Sequence, residues 1–147
     1  RSNVTLVKSI SQFVVKELEV IQGIKYYTPV DTINRVMFGQ APYIVNLIAS
    51  YTHEKLGLNA SITYNIQGPR LVISSAIKGM ADVYEMPRNM IDFKMTKSIK
   101  KHFTVSLTVR DLLNAKVRRE YKTDNGYQTY DSYRYGTNVQ LGIIYKL

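Results

Sequence analysis

The feature that most constrains the fold of this chain is a strict alternation of apolar and polar residues over residues 56–67. Every second residue from Leu56 onward is apolar, whereas the intervening residues are Gly, Asn, Ser, Thr and Gln. Successive side chains of a β-strand point to opposite faces, so this segment predicts a strand with one apolar face and one uncharged polar face. Its length is about twice that of a usual strand in a soluble protein.

The same alternation recurs along the rest of the chain and predicts an all-β, antiparallel structure of six strands. With decreasing clarity, it is found in residues 102–110, 138–147, 91–95, 43–51 and 4–12. The spacing of Val14, Leu18 and Ile21 also suits one face of a helix. A strand end and a short loop helix therefore both remain open for that segment.

The connections between these segments are alternately short and long. Residues 52–55 and 98–101 are tight links, whereas the other connections cover about residues 16–38, 71–88 and 115–133. Long strands joined in this way are typical of a transmembrane β-barrel. No segment approaches the run of about 18 apolar residues that a membrane-spanning helix requires. In lipid the remaining way to pair every backbone N–H and C=O is a closed sheet.

A soluble β-sandwich or lipocalin-like barrel is the alternative, because its strands also alternate. Two features favour the membrane barrel. The loops of a soluble sheet need not alternate in length, and its outer face usually carries many charges. The polar face of residues 57–67 carries none, which suits the wall of a crowded, hydrated lumen.

Six strands are too few to close a membrane barrel, since the smallest have about eight. An open sheet would expose two unpaired edges to lipid. We therefore expect residues 1–147 to form part of one larger barrel domain, completed by the rest of its protein or by other chains. The chain begins at Arg1 without Met, which we expect of a processed or cut chain.

The apolar side chains of the predicted strands are expected to contact the acyl chains of the membrane. They are Leu56, Leu58, Ile62, Ile66, Ile91, Phe93, Met95, Phe103, Val105, Leu107, Val109, Val139, Leu141 and Ile143. Tyr43, Tyr51, Tyr64 and Tyr145 lie near strand ends or in outward registers. An aromatic ring with a hydroxyl suits the membrane interface, so these four predict an interface girdle. The simpler alternative is that Tyr is a good strand former.

The third long connection is rich in tyrosine and arginine, the residue types that dominate recognition surfaces. Its candidate ligand-binding residues are Arg118, Arg119, Tyr121, Tyr127, Tyr130 and Arg134. The alternative is that long strands extend beyond the membrane and carry these residues for pairing and solubility. A turn is expected at Asp111 and Asn114, since such side chains bond to nearby backbone.

The chain carries a formal charge of +9. Its basic residues are dispersed along the sequence instead of forming one face, so we do not expect a nucleic-acid partner. Basic loops would instead be attracted to anionic lipopolysaccharide over a distance of about 8 Å. Lipid and lipopolysaccharide of the bacterial outer membrane are therefore the expected surroundings.

The sequence contains few of the residues and motifs that proteins use for catalysis or metal binding. There is no cysteine and there are two histidines, which excludes disulfides, thiolate chemistry and a His-rich metal cage. No serine elbow, zinc signature or phosphate-binding loop is present. We expect no enzymatic activity and no cofactor.

Four motifs, in order along the chain, resemble the C-terminal barrel portion of TonB-dependent outer-membrane receptors of the Bacteroidetes type. Gly-Gln-Ala-Pro-Tyr-Ile-Val-Asn at residues 39–46 resembles a recurring strand entry of that family. Tyr-Glu-Met-Pro-Arg-Asn at 84–89, followed by Ile-Asp-Phe at 91–93, resembles its next block. Arg-Asp-Leu-Leu-Asn at 110–114 is similar to a strand end of the family.

The fourth motif is the alternating terminal run, which resembles the strand recognised by the barrel-assembly machinery. Its residues are Val139, Leu141, Ile143, Tyr145 and Leu147. That signal usually ends in Phe, so Leu147 departs from the pattern and could weaken recognition.

The resemblance implies a barrel of about 22 strands plugged by an N-terminal domain. Such a protein imports a bulky nutrient, for example a siderophore–metal complex, cobalamin or a glycan, with energy supplied through TonB. The plug and the segment that contacts TonB would lie outside this chain. The chain would then supply about six strands and three outer loops of a transporter.

Overall fold

The computed structural model describes residues 1–100, 102–123 and 125–145, and this part of the chain is built almost entirely of β-strands. In that part, no helix has the length and apolar character needed to cross a membrane. The strands are β1 (Ser2–Leu6), β2 (Ser11–Ile21), β3 (Ile24–Arg35), β4 (Tyr43–His53), β5 (Leu58–Gln67), β6 (Arg70–Ile73), β7 (Val83–Glu85), β8 (Asn89–Ile99), β9 (Phe103–Arg110), β10 (Val117–Thr123), β11 (Gly126–Tyr133) and β12 (Asn138–Tyr145).

The largest unit, here called the main sheet, has six strands in the order β1-β4-β5-β8-β9-β12. Each strand is antiparallel to the next, so the chain winds up and down through the sheet. Each predicted strand segment contributes a strand to it, which confirms the all-β, antiparallel prediction. The first strand is shorter than predicted, because β1 ends at Leu6.

Both tight links are confirmed as turns at one end of the main sheet. The first contains a 3-10 helix, Glu54–Leu56, in which the ring Nδ1 of His53 accepts a hydrogen bond from the Leu56 N–H (3.3 Å). Gly57 follows with a φ of 59°, and its carbonyl accepts a bond from Ser98 N–H (2.8 Å). The prediction that the strand begins at Leu56 is therefore wrong, because the chain is still reversing there and β5 begins at Leu58.

The three long connections contain the other six strands, and in the third this agrees with the alternative that strands continue beyond the main sheet. We call residues 11–35, 70–85 and 117–133 the first, second and third extensions. The first is a hairpin of β2 and β3, whereas the other two form a four-stranded sheet in the order β11-β10-β7-β6. The helix option for residues 14–21 is wrong, because β2 pairs with β3 over its whole length.

Backbone hydrogen bonds join the three extensions into one unit, here called the extension body. Lys16 N–H donates to Ala76 O (2.7 Å) and Lys78 N–H to Lys16 O (2.9 Å), which ties the first extension to the second. Lys122 N–H donates to Asp82 O (3.1 Å), which ties the third extension to the second. The three connections at this end of the main sheet therefore hold one another in place.

The buried residues lie in or beside the extension body and not in the main sheet. They are Val15, Ala41, Gly68, Leu71, Val83, Glu85 and Val117. Large apolar side chains of the main sheet are instead exposed, as in Leu141, which is 72% exposed, and Ile143, which is 68% exposed. The main sheet is thus a single layer whose apolar surface needs a cover from outside the described residues.

We predict that Gly57→Ala weakens the first tight turn by about 1–2 kcal/mol, because an L-residue is strained in the left-handed region. A Cβ at this position would also lie 2.9 Å from the backbone oxygen of Ser98. The test is thermal unfolding of the intact protein in detergent, followed by circular dichroism. Gly79→Ala is the control for this clash. Gly79 also has a positive φ, of 81°, so the variant shares the backbone strain, but nothing lies within 4 Å of an added Cβ. Equal destabilisation by both variants would contradict the proposed clash.

Candidate functional site

The two faces of the main sheet differ in chemistry. Cross-strand partners lie on the same face of a sheet, so the register identifies which side chains share a surface. Ile62 is opposite Ala49 and Phe93. The same row continues from Phe93 to Val109 and from Val109 to Val139. We call the side that carries this row the apolar face.

Thirteen of the predicted lipid contacts lie in main-sheet strands, and the register places all thirteen on the apolar face. They are Leu58, Ile62, Ile66, Ile91, Phe93, Met95, Phe103, Val105, Leu107, Val109, Val139, Leu141 and Ile143. Leu56 lies in the turn, outside this array. Contact of these residues with lipid stays a prediction.

The four predicted girdle tyrosines also lie on the apolar face, in two groups. Tyr51 and Tyr145 are near the tight turns, where the ring of Tyr145 lies 4.9 Å from that of Phe103. Tyr43 begins β4 at the opposite end. The Tyr64 hydroxyl donates to Oδ1 of Asn89 (2.6 Å), the first residue of β8 at that same end. This arrangement suits an aromatic residue at each membrane interface.

The other side of the main sheet, the polar face, carries Asn, Ser, Thr and Gln side chains. One row across five strands consists of Ser50, Ser61, Lys94, Thr108 and Gln140. Neighbouring polar side chains bond to each other, as where Asn65 Nδ2 donates to Asn46 Oδ1. Hydrogen-bonding groups of this kind suit a water-filled interior.

Charges are also distributed unequally between the two faces. Asp92, Lys94 and Arg110 belong to the polar face. Among the described strand residues, the apolar face carries Lys97 as its single full charge, opposite Leu58 and Val105 near the tight turns. A long lysine side chain near a strand end can extend its ammonium group to the membrane interface.

A row of alternating charges crosses the four-stranded sheet of the extension body. We call Arg70, Glu85, Arg119 and Asp131 the charge ladder, since each is the cross-strand partner of the next. The N···O distances along it are 2.9, 3.9 and 3.3 Å. The Glu85 side chain is 10% exposed, and its two carboxylate oxygens face the guanidinium groups of Arg70 and Arg119.

Arg35 fixes the first extension to the second. Its Nη1 donates to Asp82 Oδ1 (2.8 Å), Ser74 Oγ (2.7 Å) and the backbone oxygen of Ser75 (2.6 Å). The side chains of Arg35 and Asp82 are both largely buried. The sequence contained no sign of this site, because its members come from two connections that sequence spacing does not relate.

The structure does not bring the six candidate ligand residues together. Arg119 belongs to the charge ladder, and Tyr121, two residues further along β10, packs edge-to-face on Tyr130 at 5.2 Å. Tyr127 is opposite Lys122, on the other face of β10. The remaining two candidates have other surroundings. The Arg118 side chain lies 3.7 Å from that of Glu120, and Arg134 follows β11 in an exposed position. A ligand-binding role for the six stays a prediction.

The comparisons with known proteins give one match. The model of the outer membrane protein beta-barrel family matches residues 4–145. The match therefore includes all three extensions and all strands of the main sheet apart from the first two residues of β1. Comparison with curated proteins and with solved structures gave no match.

We predict that Ile62→Arg destabilises the folded protein by about 2–4 kcal/mol, the cost of an arginine that faces lipid near the middle of the bilayer. Thr63→Arg is the matched control, because the next residue of β5 faces the other side and lies opposite Asp92. Its cost should be small. The measurement is urea unfolding of the intact protein in lipid vesicles, read from heat-modifiable gel mobility. Equal costs at the two positions would show that the faces are assigned incorrectly.

We predict that Glu85→Gln lowers the free energy needed to open the extension body by about 2 kcal/mol, because it leaves Arg70 and Arg119 without their shared carboxylate. Trypsin cleavage of the extensions in the purified intact protein in detergent should then be roughly 30-fold faster. Glu17→Gln is the control, since Glu17 forms an exposed pair with Lys78 (3.3 Å). Such pairs contribute about 0.5 kcal/mol or less. A cleavage rate unchanged by Glu85→Gln would contradict this role of the ladder.

Proposed function

Because the chain belongs to the outer membrane protein beta-barrel family, we propose that it forms the C-terminal part of the barrel wall of a TonB-dependent transporter. The protein resides in the bacterial outer membrane. That location removes the soluble binding module considered from the sequence. The transported ligand would be a bulky nutrient, such as a siderophore–metal complex, cobalamin or a glycan.

The observation that carries the proposal is a one-layer sheet with chemically opposite faces and an ordered body at one end. Barrels of this membrane have short periplasmic turns and longer extracellular connections. The tight turns would therefore lie at the periplasmic side, and the extension body would lie outside the cell. The polar face would line the interior through which a ligand passes.

The main sheet is open, which supports its role as one arc of a larger barrel. Within the described residues, β1 pairs only with β4 and β12 only with β9. Unpaired backbone groups at these edges are not tolerated in lipid. Further strands must therefore adjoin both edges, and the sequence resemblance implies about 22 in total.

Two of the resemblance motifs have defined structures where strands enter or leave the main sheet. In the motif at 110–114, Asp111 and Asn114 have φ values of 51° and 46°. Asn114 N–H donates to Asp111 O (2.9 Å), and Ala115 N–H to Asp111 Oδ1 (2.9 Å). In the motif at 39–46, Tyr43 begins β4 and its backbone oxygen accepts from Gly68 N–H (2.8 Å). The turn expected at Asp111 and Asn114 is confirmed.

Strand β12 is proposed as the segment that the barrel-assembly machinery recognises. Val139, Leu141, Ile143 and Tyr145 lie on its apolar face and are each more than half exposed. Leu147, the last residue of the predicted signal, lies outside the described residues. A free strand edge with exposed apolar side chains suits recognition by strand addition.

The competing functions are those of a porin, which is a barrel without a plug, and of a barrel subunit in an outer-membrane complex. We predict that the intact protein gives no stable open-channel conductance in planar lipid bilayers, because the plug fills the lumen. It should also retain the purified periplasmic domain of TonB. A porin from the same membrane is the control for conductance. Stable channels without TonB binding would favour the porin and contradict the transporter.

A further inference from the structure

A pocket of about 220 Å³ lies at the outer end of the main sheet, between residues that flank β1, β3 and β4 and residues of the second and third extensions, and we call it the mouth pocket. Its lining includes Val7 after β1, Pro42 before β4 and Tyr127 of the third extension. Drug-sized ligands occupy pockets of about 300–1,000 Å³. The mouth pocket therefore has room for one ring-sized part of a larger molecule.

The register indicates that this pocket opens towards the side of the polar face. Leu6 and Tyr43 are cross-strand partners on the apolar face. The next pair outward is Val7 and Pro42, joined by a bond from Val7 N–H to Pro42 O (3.0 Å). Because side chains alternate between faces, this pair belongs to the polar side. The mouth pocket thus lies at the outer end of the surface that would line the lumen.

Two lysines give the pocket a positive character. Lys8 and Lys122 both line it, and neither forms an ion pair within the described residues. Two acidic groups lie beside the pocket residue Tyr84, and both are paired. Asp82 forms an ion pair with Arg35 (2.8 Å), and Glu120, the cross-strand partner of Tyr84, lies 3.7 Å from Arg118. An anion entering the pocket would therefore meet two unpaired lysines, whereas both of these carboxylates already have a cationic partner.

Aromatic and apolar groups form the remaining wall. Tyr84 and Tyr127 both line the pocket, together with Val36 and Pro69. Burial raises the pKa of Tyr84, and the nearby carboxylate of Asp82 raises it further. The Tyr84 hydroxyl is therefore protonated at neutral pH and can donate a hydrogen bond. Flat apolar side chains beside such a donor suit a ring that bears an oxygen anion.

We propose that the mouth pocket binds an anionic ring, such as an aromatic carboxylate, as one part of the transported ligand. The two lysines attract the negative group, while the tyrosine rings pack against the ring and a tyrosine hydroxyl bonds to its oxygen. This inference rests on the proposed function, since it assigns a ligand class to a site at the mouth of the lumen.

The test uses the intact protein in detergent, with benzoate as probe and binding measured by saturation-transfer NMR titration. Benzoate should bind at least tenfold more tightly than benzamide or benzylamine, which have the same ring but no negative charge. The double variant Lys8→Gln/Lys122→Gln should weaken benzoate binding at least tenfold. Tyr84→Phe should weaken it severalfold, because it removes one donor and keeps the ring.

Lys55→Gln is the matched control, since Lys55 lies in the tight turn at the opposite end of the main sheet. Heat-modifiable mobility verifies that each variant is folded. Failure of the wild type to bind benzoate, equal binding of benzylamine, or full binding by the double lysine variant would overturn the proposal. Conductance separates this outcome from the transporter proposal. A closed barrel that ignores benzoate rejects the pocket alone, whereas an open channel that binds benzoate rejects the transporter alone.

Discussion

The structure depends on the requirement that backbone N–H and C=O groups be paired where no water can reach them. An antiparallel meander meets this requirement most directly, because each strand pairs with the next along the chain. The six strands of the main sheet follow that order without a crossover. Because hydrogen bonds hold the layer together, the main sheet needs no second layer packed against it. The side chains on its two faces can then differ from each other, because neither face has to pack against a second layer.

In the proposed transporter, the extension body is surrounded by water, so its stability has a different source. A unit in water must bury apolar side chains to be stable, and Leu71, Val83 and Val117 are almost fully buried there. Charges can also be used as structural links, as in the charge ladder and at Arg35. On the apolar face, a charge would lose its hydration without gaining a partner. The chain thus places these ion pairs in the extension body, away from the apolar face of the main sheet.

The main sheet could be predicted from the sequence because its signal is local. A period of two over residues 56–67 identifies both the strand and its faces, and the register kept Ile62, Phe93 and Val139 on one side as expected. The exact start of β5 was missed because Leu56 continues the apolar pattern. The reversal of the chain depends instead on Gly57, which adopts a left-handed backbone conformation. An apolar–polar alternation does not predict such a conformation.

The extensions could not be predicted in the same way, because their order comes from contacts between distant segments. Glu85 is paired with Arg70 and with Arg119, and no spacing rule relates these three positions. The segment at Val14 and Leu18 satisfied both a helix and a strand pattern. Its pairing with β3 decided the outcome, since a hairpin satisfies the backbone of both strands together. Tertiary pairing also divided the Tyr- and Arg-rich residues of β10 and β11 between two faces.

In the proposed transporter, the pairing of the extensions also determines how the outer end of the barrel would recognise a ligand. Separate flexible loops would each lose conformational freedom on binding, and that cost is subtracted from affinity. Here the three extensions are already joined by backbone bonds, by Arg35 and by the charge ladder. The second and third extensions supply part of the lining of the mouth pocket, so these walls come from segments that folding has already ordered. Recognition there can use most of its contact energy for affinity, and movement is required chiefly of whatever fills the lumen beneath it.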